Sequence, residues 1–118
     1  MAEEQPHLSI TSKDGVHIVE FSDRKILEEL SIRNIEEELS TLVAAEEGIK
    51  LLLNFKNVEH LSSAALGMLI NLEKEVAHKN GKLILSDIRP QIYEVFRITR
   101  LHKMFEIHDS VGQAMKHF

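Results

Sequence analysis

The run Ile49-Lys50-Leu51-Leu52-Leu53-Asn54-Phe55 carries an apolar side chain at almost every position rather than at every second one. A strand with one wet face alternates, whereas a strand covered on both faces reads as a continuous apolar stretch. Such a strand belongs in the middle of a sheet. Behind it, Ala65, Leu66, Leu69, Leu72 and Val76 recur at helical spacing up to about His78, and Asn80-Gly81 stops them. Lys82-Leu83-Ile84-Leu85-Ser86 is then a second short buried strand. The strand, helix, strand order predicts an α/β sheet with crossover helices.

The flanking segments extend this pattern. Leu8-Ser9-Ile10-Thr11 alternates, Val16 to Phe21 resumes an apolar pattern, and Asp14-Gly15 between them is a tight-turn signal, so residues 8–21 read as a β-hairpin. Residues 22–31 are charged and read as a connection, with Ile26, Leu27 and Leu30 as loop anchors. Ile32, Ile35, Leu39, Leu42 and Val43 predict an amphipathic helix over 32–45, ended at Glu47-Gly48. Its acidic run Glu36, Glu37, Glu38 reads as a solvated face. Arg89-Pro90 opens a further helix with Ile92, Val95 and Phe96 inside. Residues 104–108 form a last strand, and Asp109-Ser110 caps a terminal helix bearing Val111, Ala114, Met115 and Phe118.

Composition narrows the function by exclusion. A length of 118 residues suits one domain, 1–118, with a core of its own. No apolar run has the length of a membrane span, and the start Met-Ala-Glu-Glu-Gln-Pro is acidic where a secretory signal is basic, so a cytoplasmic protein is expected. Zero cysteines exclude disulfides, thiolate metal sites and a cysteine nucleophile. The net charge of −5 and a single Tyr leave no basic stripe or stacking platform for nucleic acid. The seven histidines, at 7, 17, 60, 78, 102, 108 and 117, include no pair at i, i+4, so no metal site and no cofactor are expected. No Gly-x-Ser-x-Gly and no glycine-rich phosphate loop occurs, and His60 lies too near Ser62 and Ser63 in the chain to align as their base; catalysis is not expected.

What remains is the stretch Leu61-Ser62-Ser63-Ala64-Ala65-Leu66-Gly67, where a buried strand turns into a helix. One hydroxyl there is a natural N-cap. A cap does not need two serines, nor the small residues Ala64, Ala65 and Gly67, which would let another protein's backbone approach closely. Phosphate on such a hydroxyl is accommodated by the helix N-terminus and adds nearly two negative charges, which suits a reversible switch.

Residues Val58-Glu59-His60-Leu61-Ser62-Ser63-Ala64-Ala65-Leu66-Gly67 after an apolar strand, together with the order of elements, resemble the STAS domain of bacterial anti-sigma factor antagonists. The likeness takes in the opening hairpin, Gly-Lys-Leu-Ile-Leu at 81–85, Arg-Pro-x-Ile-x-x-Val-Phe-x-Ile-Thr-Arg-Leu at 89–101 and the closing Phe-Glu-Ile-His. It implies a single STAS domain, α/β, with a mixed sheet of about five strands that starts with a hairpin and about four helices packed on it. In that family the turn usually reads Asp-Ser-Ser-Gly-Leu-Gly, phosphorylated on the first serine. Aligning Leu66-Gly67 with the final Leu-Gly puts the acceptor at Ser63, the aspartate at Ser62, the second serine at Ala64 and the first glycine at Ala65; a shift of one residue makes Ser62 the acceptor.

The resemblance implies a non-enzymatic partner switch. Unphosphorylated antagonist binds an anti-sigma factor that is itself a serine kinase and so frees a sigma factor; phosphorylation reverses this and a serine phosphatase resets it. The implied partner surface is Ser62, Ser63, Ala64, Leu66 and Gly67, with the loop at Asp23 and Arg24. The competing expectations are a STAS scaffold subunit of a signalling or lipid-transport assembly, whose serines only cap a helix, and a small enzyme or ligand-binding domain.

Overall fold

The computed structural model describes residues 7–118, so the acidic start lies outside the described residues. Strands β1 (Leu8–Lys13) and β2 (Val16–Phe21) form the expected antiparallel hairpin, with Leu8 opposite Phe21 and Lys13 opposite Val16. Asp14 and Gly15 both have positive φ, 52° and 79°, which is the backbone that a two-residue hairpin turn requires.

Strand β4 (Lys50–Asn54) lies third in a five-stranded sheet of order β1-β2-β4-β6-β7, where β6 is Lys82–Ser86 and β7 is Glu106–His108. Its pairings with β2 and β6 are parallel, as is that of β6 with β7. Both faces of β4 are covered, which explains the unbroken apolar run. Leu51 and Leu53 join the main core with helices α1 (Glu29–Ala44), α2 (Ser63–His78) and α3 (Pro90–Ile98). Leu52 faces the other way, with Val16 and Ile84, under the short helix α4 (Val111–Met115) that buries Ala114. Full burial of each leucine is worth about 1.5–3 kcal/mol.

The chain departs from expectation between residues 22 and 31. It is not a plain connection: β3 (Lys25–Ile26) pairs in parallel with β5 (His60–Leu61) in a separate two-stranded sheet. Two residues are too few to show a period, so no sequence pattern announces them. Ile26 is fully buried as an anchor, whereas Leu27 and Leu30 are 48% and 65% exposed. Helix α1 begins at Glu29, nearly a turn before its buried stripe, and its first turn carries that acidic residue on the favourable side of the helix dipole. At the other end of the chain the last strand is shorter than expected. Residues 101–103 form a 3-10 turn, entered through Arg100 at φ 64°, and β7 starts only at Glu106.

Candidate functional site

The hydroxyl turn is built from the carboxyl end of β4. The Asn54 side chain, itself buried, accepts a hydrogen bond from the Lys56 amide at 2.9 Å and turns the chain out of the sheet. Phe55 and Val58 are fully buried and pin the segment, which then pairs with β3. The Ser62 amide donates to the Ile26 carbonyl at 3.1 Å, so the strand contact runs up to the start of α2.

There the two serines diverge. Ser62 takes an extended backbone, φ −85° and ψ 167°, and its Oγ accepts from the Ala65 amide at 3.2 Å: it is the N-cap. Ser63 is the first helical residue, exposed, and no hydrogen bond among the described residues engages its hydroxyl. No acidic side chain occupies the first turn of α2, so the N-terminal turn of this 16-residue helix carries no carboxylate of its own. No hydrogen bond among the described residues joins His60 to either serine.

The neighbours divide into those that face outward and those that hold the turn. Ala64 is exposed, Ala65 is fully buried and Leu66 is 8% exposed, its side chain packed into the main core. Gly67 is half-buried, and a Cβ built on it meets nothing within 4 Å. The loop at residues 23–24 is brought to the same end of the molecule: the Arg24 carbonyl accepts from the Glu59 amide at 2.7 Å and the His60 amide at 3.1 Å. Arg24 presents an exposed side chain, while Asp23 Oδ2 lies 2.6 Å from His7 Nδ1.

Sequence reasoning missed the apolar part of this surface. Leu27 and Ser62 follow directly on the paired residues Ile26 and Leu61, so the exposed leucine flanks the hydroxyl turn. Between α1 and α2 runs a groove of about 310 Å³, lined by Glu29, Arg33, Glu36, Ala64, Gly67 and Asn71. The signal that could have found the leucines is that Leu27 and Leu30 sit in a charged stretch with no repeat to bury them. Of the acidic run, Glu36 reaches the groove and Glu37 and Glu38 are solvated.

A mixed sheet opened by a hairpin, with three helices on one face and a capped hydroxyl turn after the central strand, defines a protein of the STAS class. The STAS domain family model matches residues 8–114, and the chain belongs to that family. Among curated relatives it is 25% identical over 65 residues to the anti-sigma F factor antagonist of Paenibacillus polymyxa, covering 55% of this chain and 56% of the relative. It is 26% identical over 68 residues to the anti-sigma-B factor antagonist of Listeria monocytogenes, covering 58% and 60%. The matched stretch thus spans less than two thirds of either relative. The fold is shared with an anti-sigma factor antagonist of Mycobacterium paratuberculosis, at a TM-score of 0.80, 21% identity and coverage of 92% and 90%. It is shared also with the antagonist SpoIIAA in its unphosphorylated form, at a TM-score of 0.67, 16% identity and coverage of 92% and 93%.

Proposed function

We propose that this chain is an anti-sigma factor antagonist that binds an anti-sigma factor serine kinase when unphosphorylated and is released when Ser63 is phosphorylated. The observation that carries the reading is the division of labour within the serine pair. Ser62 spends its oxygen on the helix cap, and Ser63 offers an exposed hydroxyl, with no hydrogen-bond partner among the described residues, at a helix N-terminus. The curated relatives named as anti-sigma factor antagonists supply the partner class.

The chemistry follows from charge. A phosphate on Ser63 adds about −1.5 to −2 charge at neutral pH, and the free amides of the first turn stabilise it. The same charge enters beside a groove that already holds Glu29 and Glu36. A partner contact centred there loses affinity through like-charge repulsion and through desolvation of the phosphate. Beside the hydroxyl turn, exposed Leu27 supplies apolar contact, and Ala64 and Gly67 let a partner's backbone come close. The protein acts through this surface in the cytoplasm, on transcription, with a serine phosphatase restoring the binding form.

The test is mass spectrometry of the tryptic peptide 57–74, from native cells under growth and under stress. That peptide holds both serines and no other hydroxyl side chain. Phosphate on Ser63 whose occupancy follows the condition is the expected result. Phosphate on Ser62 moves the acceptor by one residue. Its absence under all conditions, with the peptide fully covered, overturns the switch and leaves a STAS scaffold.

A further inference from the structure

On the other face of the sheet, β7 and the last residues of the described chain bring three metal-ligating side chains together. Glu106 and His108 are two apart on a strand, so both project from one face, the face that α4 covers. Helix α4 then turns the chain back, and the His117 ring stacks on that of His108, with centroids 4.1 Å apart and planes at 17°. One donor atom from each of Glu106, His108 and His117 lies within 4.8 Å of the others.

We propose that Glu106, His108 and His117 form a site for a divalent transition metal of the zinc type. Two imidazoles and one carboxylate are a donor set for Zn²⁺ or its Co²⁺ surrogate, and not for Mg²⁺ or Ca²⁺, which take oxygen shells. His108 Nε2 and Glu106 Oε2 are 2.8 Å apart across a shared proton. The cation replaces that proton, and His117 swings out of the stack to supply the third donor. Lys82 frames the site without filling it: its Nζ lies 3.5 Å from Glu106 Oε1, on the oxygen that does not face His108, and donates to the His117 carbonyl. β7 is the outer strand of its sheet, and the Glu106 side chain is 37% exposed.

The consequence is structural. Helix α4 has five residues; Ala114 is its fully buried side chain, and Val111 and Met115 are partly buried against the same small cluster. An ion bridging β7 to His117, two residues beyond α4, ties that helix down further, and binding to the folded form alone stabilises it. The histidine spacing gave no warning, because i, i+4 pairs matter on helices, whereas Glu106-x-His108 uses the two-residue period of a strand.

The experiment uses the full chain without an affinity tag, stripped with a chelator, then titrated with Zn²⁺ by calorimetry and with Co²⁺ by visible absorption. One ion per chain, a Co²⁺ ligand-field band and a higher melting temperature with Zn²⁺ but not with Mg²⁺ are expected. His117→Ala and Glu106→Gln, both at exposed or half-exposed positions, should each weaken Zn²⁺ binding by roughly tenfold or more and remove the thermal shift while the metal-free protein still folds. No saturable binding, or an affinity in both variants equal to that of the unsubstituted chain, overturns the site, the latter by placing the ion on other histidines.

Discussion

The Ser62 hydroxyl oxygen accepts the Ala65 amide at 3.2 Å, and this one bond separates the roles of two adjacent serines. Ser62→Ala should lower stability by about 1 kcal/mol, the usual cost of an N-cap, visible as a lower melting temperature. Ser63→Ala should leave the melting temperature unchanged and abolish phosphorylation by the cognate kinase. Ser63→Asp should fold and bind that kinase poorly; equal binding by the Ala and Asp variants would remove Ser63 as the switch.

Leu27 and Leu30 are 48% and 65% exposed, and Leu27 follows the strand residue that pairs with Leu61 at the hydroxyl turn. Exchanging both for Ser should change stability by no more than about 0.5 kcal/mol, as surface substitutions do. If they anchor the partner, affinity for the anti-sigma factor should fall by roughly tenfold or more, measured by calorimetry. Charge reversal at Asp23 or Arg24 tests the rim of the same surface, through association rate and salt dependence.

Two glycines should respond in opposite directions. A Cβ at Gly67 meets nothing within 4 Å, and the residue lies inside α2, so Gly67→Ala should stabilise the fold by about 0.5–1 kcal/mol while weakening partner binding. A Cβ at Gly81 would overlap the Ile49 carbonyl oxygen and lie 2.8 Å from Ile49 Cγ2, so Gly81→Ala should destabilise by about 1–3 kcal/mol. Chemical denaturation of the two variants, side by side, measures both signs.

Glu73 carries a pH dependence. Its Oε2 is buried without a hydrogen-bond partner among the described residues, and burial holds its carboxyl above the ordinary 4.5. The folded state therefore favours the protonated form. Its contribution to stability is full below pH 4.5 and is lost as pH rises through the raised value. Glu73→Gln, which mimics the protonated carboxyl, should raise the melting temperature at pH 7, with the gain shrinking to nothing on acidification below pH 4.5. A gain that is constant with pH would place the carboxylate in water.

Much of this molecule is legible in local pattern. The central place of β4, the hairpin at Asp14-Gly15, the inner faces of the helices and the presence of a helix N-terminus at the serine pair all follow from side-chain spacing. They follow because burial acts on each residue through its own element's period. Tertiary structure decided what depends on residues far apart in the chain. Lys25 and Ile26 become a strand only because His60 and Leu61 lie beside them, and Leu27 and Leu30 are exposed because no element among the described residues covers them. Ser62 and Ser63 have the same side chain, and their roles split on a backbone geometry that spacing does not encode. Glu106, His108 and His117 meet because α4 folds back on the outer strand, a contact between elements that no period within either of them carries.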